Sequence, residues 1–456
     1  MTPLSHFGTG NTIEASAEHA AGKGYTGPRT RHRCPGIRMG VGAIVPGPGA
    51  SRAIREPIQP LRLSTPRSAS GGGIFGLLER GLVVFRFGFA AILVGLLLVG
   101  TDVRAVFPGT SEQAVRAVVD GVVLPIMQQR SIPGLAVGLS WGGRTYFFPS
   151  GRVNSRGDLF KPDTLVEIGS CTKVFTTTLL ALAVAHGQMS LSDSIQKYMP
   201  EAIPLRPAAQ QVTPLELADF TSGMPNDPPD LPRSLEMRSI DHYTTHDFMN
   251  FVRDWEPPTP LPAPYHYSNA GIGLLGYLVA DAAGKSWEGL LNAEITGPLQ
   301  MPDTVLRPSR QQRHRLAQGH WPGGAVAPEW PVFAWYAAGG LRSTVRDMTK
   351  FAQANLGDRS VAGTPVPAML TAAMLTAQQP QYQPAGRRFN QAMAWTGRVV
   401  DTSGGHNALV LKDGGTAGFS SVIVLNRAKD LAVFAVANQA KSDIVGIGVE
   451  IARRMH

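Results

Sequence analysis

Ser170 and Lys173, three residues apart in Gly169-Ser170-Cys171-Thr172-Lys173, are the first side chains in this sequence whose types and spacing suggest chemistry. The residues that follow, 174–185, set apolar side chains mostly at helical spacing, and His186-Gly187 closes the run. The pair therefore stands at the start of a helix. Positions i and i+3 share a helix face, so the serine hydroxyl and the lysine amine meet in one pocket, under the positive potential of the helix N-terminus. A serine hydroxyl is a poor nucleophile until a neighbouring base takes its proton. Ser170 is the candidate nucleophile and Lys173 its candidate base.

Two further groups have matching chemistry. Tyr267-Ser268-Asn269 precedes a helical run from Ala270 to Leu278 and sets a phenol and an amide two residues apart. A tyrosine acts as a base only if its pKa falls well below about 10, which nearby ammonium groups bring about. Lys412-Asp413-Gly414-Gly415-Thr416 supplies a cation at the head of a glycine-rich strand, where a substrate backbone can approach closely. Other candidates carry less. His242 and His246 have zinc-ligand spacing but no third ligand, and read as helix-surface residues. No metal or organic cofactor is implied. His406 either lines the cleft or is a loop residue, and Trp335 and Tyr336 either wall the cleft or pack in the core. Gly71–Gly76 matches a dinucleotide string but lacks a preceding strand. Cys171, one of only two cysteines with Cys34, reads as a small buried hydrophobe.

The elements that position these groups follow from patterning. Residues 111–130 read as a helix, 132–140 and 144–148 as a hairpin, and 190–380 as helices broken by proline-rich loops at 225–232 and 257–264. Strand signals return at 409–411, 420–425 and 431–437, and a helix closes the chain at 441–455. Strands at both ends with helices between predict an α+β fold: an antiparallel sheet flanked by helices, formed by about 111–190 and 385–456, with an inserted helical domain over about 191–384 and the active site between them.

Charge is unevenly spread. Of the 456 residues with formal net charge +9, residues 1–80 hold ten basic and four acidic side chains, whereas residues from 106 onward hold 30 and 28. The basic character belongs to a Gly/Pro-rich leader that reads as disordered, without the aromatic interleaving or modules of nucleic-acid binding. Residues 87–100 form an unbroken apolar run after Arg80 and Arg86, with Val103-Arg104-Ala105 beyond it. That pattern is a secretory signal within 81–105 or a membrane anchor over 82–100, and either exports the rest of the chain.

In this order and context, Ser170–Lys173, Tyr267–Asn269 and Lys412–Gly414 resemble the Ser-x-x-Lys, Tyr-x-Asn and Lys-Thr-Gly motifs of serine β-lactamases and penicillin-recognising D,D-peptidases, most closely the class C branch. Phe220-Thr221-Ser222-Gly223-Met224-Pro225 and Ala338-Gly339-Gly340-Leu341-Arg342 add to the resemblance, which covers about 111–455. It implies an exported, cofactor-free, monomeric periplasmic hydrolase, soluble or anchored at the inner membrane. The substrate would be a β-lactam, or alternatively a D-alanine-containing peptide or an ester; a non-catalytic cell-wall binding protein is the remote alternative. It implies Ser170, Lys173, Tyr267 and Lys412 as catalytic, and Asn269, Asp413, Gly414, Gly415 and Thr416 as substrate-binding, with backbone N–H groups of Ser170 and Gly415 as the oxyanion hole. The third motif departs from the family: Asp413 stands where threonine is usual. Two like charges 4 Å apart at an effective dielectric of ~20 cost about 4 kcal/mol, so Asp413 would repel a substrate carboxylate unless it turns away or pairs with Lys412. Thr416 is then a candidate substitute hydroxyl.

Overall fold

The computed structural model describes residues 111–455 apart from 232–239, 241, 258–259 and 403–404. The leader and the 81–105 segment lie outside the described residues. A seven-stranded antiparallel sheet forms the frame, in the order β2 (Arg144–Gly151), β1 (Gly134–Trp141), β11 (Leu431–Ala437), β10 (Ser420–Asn426), β9 (Gly405–Gly415), β8 (Thr396–Thr402) and β7 (Asn390–Gln391). Two small pairs lie apart from it, β3 (Leu165–Glu167) with β4 (Arg342–Thr344), and β5 (Ser360–Val361) with β6 (Thr364–Pro365). Gly142 and Gly143, at φ of 55° and 71°, make the tight turn between β1 and β2, where positive φ matches the twist of the strands.

Alternate residues of the central strands enter two cores. Leu135, Val137 and Leu139 of β1 and Val433 and Ala435 of β11 pack with Val115, Val119 and Val122 of the helix Glu112–Arg130 and Ile447 and Ile451 of the helix Ile444–Arg454. Ala136, Phe434 and Val436 face the other way, into a larger core with Met348 and Phe351 of the helix Val345–Ala354. Both faces are covered, so these strands read as continuous apolar runs. Gly138 allows the close seating of that helix, because a Cβ there would lie 2.0 Å from Thr349 Oγ1.

The structure has the α+β architecture expected, and differs from expectation in its details. Among its described residues the 191–384 range is less helical than its pattern suggests, with Pro214–Ala218, Thr245–Asp254, Asn269–Ala282, Trp287–Leu291 and Ala368–Ala377 as its main helices beside the helix Val345–Ala354. The helix Val345–Ala354 falls in that range yet belongs to the sheet layer, because its apolar face lies on β1 and β11. Strands β7 and β8 carried little apolar alternation and extend the sheet beyond the strands expected. The helix after Ser170, Thr172–Ala185, is buried on every side from Thr172 to Ala183 rather than along one stripe, as befits a central helix.

Candidate active site

The nucleophile stands on a tight turn held against the sheet. Gly169–Cys171 forms a 3-10 turn that runs into the helix Thr172–Ala185, with Gly169 at φ 49°. A Cβ on Gly169 would lie 2.5 Å from the Gly415 carbonyl oxygen and 2.7 Å from its nitrogen, and one on Gly414 would lie 2.1 Å from the Ile168 oxygen. The glycines therefore let the end of β9 press against the turn. Ser421 Oγ donates to the Ile168 carbonyl at 2.9 Å, and Cys171 Sγ lies 3.4 Å from the Lys412 carbonyl and 3.3 Å from Ser421 Oγ. Burial pushes the Cys171 thiol up to about 12, so it is a packed thiol and not a nucleophile.

Lys173, with no solvent exposure, donates to Ser170 Oγ at 3.1 Å, Asn269 Oδ1 at 2.6 Å and the Ala338 carbonyl at 2.7 Å. Burial lowers its pKa, opposed by Tyr267. A neutral amine in this position keeps two hydrogens for Asn269 and Ala338 and turns its lone pair to the Ser170 hydroxyl, which is the geometry of a general base. Tyr267 hydrogen-bonds Ser170 and Lys173, and its ring centre lies 4.8 Å from Lys173 Nζ and 5.3 Å from Lys412 Nζ. Burial opposes its ionisation, but the two lysine charges outweigh that and hold the phenol below its ordinary range.

Lys412 is 4 % exposed and donates to the Asp413 carbonyl at 2.7 Å, with Asp413 Oδ1 at 3.3 Å. Burial alone would lower Lys412 and raise Asp413; their mutual attraction, with Tyr267 adding to it on the lysine, reverses both, so the pair is ionised. Asp413 keeps 30 % of its side chain open to solvent. Gly415 is exposed at the mouth of the site. Thr416 is turned inward: its hydroxyl donates to Glu167 Oε2 at 2.6 Å and receives the Gly418 and Phe419 N–H groups. The structure thus commits the Thr416 hydroxyl to the turn rather than to the cleft.

His246 is exposed in the helix Thr245–Asp254, while His242 precedes that helix, so the two do not share its face. Trp335 packs against Tyr243, Phe248 and Phe333, and Tyr336 against Tyr277 and Trp287. His406 falls in β9, with its side chain outside what is described. Among the described residues no group of three metal-ligating side chains occurs. Two acidic residues at the site were not among the sequence candidates. Glu167 is buried behind the nucleophile turn, where it accepts from Trp330 N–H at 2.6 Å, and burial raises its pKa. Asp227 accepts from Asn269 Nδ2 at 3.1 Å. Glu167 stands three residues before Ser170 and carried a local hint; Asp227, 42 residues from its partner, carried none.

An antiparallel sheet sandwiched by helices, with a serine one helical turn from a buried lysine and a tyrosine between two ammonium groups, defines an active-site-serine hydrolase fold. The chain belongs to the β-lactamase family, whose model matches residues 119–447. It is 31% identical over 249 residues to a β-lactamase of Escherichia coli K12, a match spanning 54% of this chain and 62% of that protein, so the chain matches less than two thirds of that relative's length. It is 27% identical over 362 residues to a β-lactamase of Lysobacter lactamgenus, covering 74% of this chain and 90% of that one. Among solved structures it resembles a class C β-lactamase from Rhodobacter sphaeroides, with a TM-score of 0.64 at 24% identity over 74% of this chain and 98% of that one. It also resembles a β-lactamase/D-alanine carboxypeptidase from Pseudomonas syringae, with a TM-score of 0.65 at 23% identity over 75% and 99%. At these identities the structural likeness establishes the fold.

Proposed function

We propose that this protein is a serine hydrolase that opens β-lactam amides through an acyl-enzyme at Ser170. The observation that carries this reading is the 3.1 Å contact between Ser170 Oγ and a fully buried Lys173, with Tyr267 held between two lysines. Ser170 Oγ attacks the carbonyl while Lys173 and Tyr267 share its proton. The N–H groups of Ser170 and Gly415 receive the oxyanion, each donor typically worth about 3–4 kcal/mol of barrier. The proton returns to the departing nitrogen, and Tyr267, kept acidic by Lys412, is the base for the water that hydrolyses the ester. Turnover of nitrocefin by wild-type protein, with S170A inert and wild type carrying a stoichiometric acyl group at Ser170, is the expected result. Labelling without turnover would overturn hydrolysis of β-lactams.

The Lys412–Asp413 pair favours a second reading, hydrolysis of a D-alanyl peptide or an ester. The Asp413 carboxylate already occupies the cation that would otherwise hold a substrate carboxylate, so a substrate neutral at that end suffers less repulsion. Release of D-alanine or of a neutral acyl ester faster than nitrocefin turnover would select it. The apolar run 87–100 and its basic flank support export of the catalytic domain, by a cleaved signal or an anchor.

A further inference from the structure

The amide of Asn269 has one donor end and one acceptor end, and both are spoken for inside the site. Its Oδ1 receives the Lys173 amine at 2.6 Å, and its Nδ2 donates to Asp227 Oδ1 at 3.1 Å. Lys173 offers hydrogens and the Asp227 carboxyl oxygen accepts them, although burial raises the Asp227 pKa, so one orientation of the amide satisfies both neighbours and the flipped one satisfies neither. Asp227 is itself held in place. The loop that carries it is stitched to the start of the helix Asn269–Ala282: the Asn226 carbonyl accepts from the N–H groups of Asn269 and Ala270 at 2.8 and 2.9 Å, and Ser268 Oγ donates to the Pro225 carbonyl at 2.7 Å. Trp335 also hydrogen-bonds the Asp227 side chain.

We propose that Asp227 is a positioning residue for acyl transfer at Ser170: it locks Asn269 with the amide oxygen on Lys173, and so aims Lys173 at the serine hydroxyl. This rests on Ser170 being the nucleophile, not on the substrate being a β-lactam. Without Asp227 the Asn269 NH2 group loses its acceptor, the amide is free to swing away, and Lys173 loses one of its three anchors. The charged and titratable groups around Lys173 are Tyr267, Lys412 and Asp227. Asp227 is the carboxylate among them, so its removal also lowers the pH at which the site loses its proton.

The test uses a fluorophosphonate, in which Ser170 Oγ displaces fluoride from phosphorus while its proton passes to the Lys173–Tyr267 base. D227A should lower the labelling rate on the order of 10²-fold, as misplacement of a catalytic group by about 1 Å does. D227N keeps an acceptor for Asn269 and should label within a few-fold of wild type, with the acid limb of its pH profile moved to lower pH. In a crystal structure of D227A, Asn269 Oδ1 should no longer accept a hydrogen bond from Lys173 Nζ. Labelling of D227A within twofold of wild type, with an unmoved limb and that hydrogen bond intact, would overturn the proposal. Normal labelling of wild type with no nitrocefin turnover would instead count against the β-lactam reading alone.

Discussion

At the scale of single residues, the site is a balance of charges around one phenol and one amine. Lys412 is the fixed cation: it stays protonated, while burial lowers Lys173 and the pair of lysines lowers Tyr267. Removing Lys412 takes away a charge that favours the phenolate, so the Tyr267 pKa rises. The expected outcome for K412M is an acid limb of kcat/KM displaced to higher pH, with kcat/KM at pH 7 reduced on the order of 10²-fold or more. A pH–rate series on both proteins checks it. Asp413 acts in the opposite sense on substrates. D413T should raise kcat/KM for a carboxylate-bearing β-lactam on the order of 10-fold while leaving a neutral ester within a few-fold, because the ion pair that screens Lys412 is gone. Matched acid and methyl-ester substrates distinguish a charge effect from a general change in the site.

At the scale of elements, the nucleophile turn and the end of β9 depend on each other. Gly169 holds a left-handed backbone where a side chain would run into Gly415. G169A is expected to cost on the order of 1–3 kcal/mol in stability, and to lose kcat beyond that, because the turn that carries Ser170 is pushed off the end of β9. Urea unfolding and acylation rate measure the two effects separately. Thr416 and Glu167 brace the same junction from behind. T416V removes a hydrogen bond to a buried carboxylate and is expected to destabilise by about 1.5–3 kcal/mol, with KM little changed, since the hydroxyl faces Glu167 and not the cleft.

At the scale of the whole molecule, one core joins the sheet to the helical part. A single buried cluster runs from Ala136 and Phe434 in the sheet, through Val174 and Leu180 of the nucleophile helix, to Leu217, Leu274 and Trp287. The site lies along this shared core and not on a hinge between independently folded halves. A fragment of residues 106–456 should therefore melt in one calorimetric transition with G138A shifted to lower Tm; two separable transitions would contradict a common core. Mass spectrometry of the mature protein should find an N-terminus near Val106 if the apolar run is a cleaved signal, and an intact 82–100 segment in the membrane fraction if it is an anchor.

The candidate catalytic side chains and the class of fold were legible in the sequence alone. Ser170 and Lys173 lie one helical turn apart, and Tyr267 and Asn269 share a helix start, so local geometry alone brings each pair together. The apolar runs of β10 and β11 and the tight turn between β1 and β2 were equally local signals. Tertiary structure alone decided what depends on contacts between distant segments. It turned Thr416 onto Glu167, 249 residues away, and set Asp227 against an asparagine 42 residues away. It also drew the helix Val345–Ala354 into the sheet layer. Spacing reports which side chains share a helix face, whereas hydrogen-bond partners across a loop are chosen by burial, which penalises any polar group left without a donor or acceptor in reach.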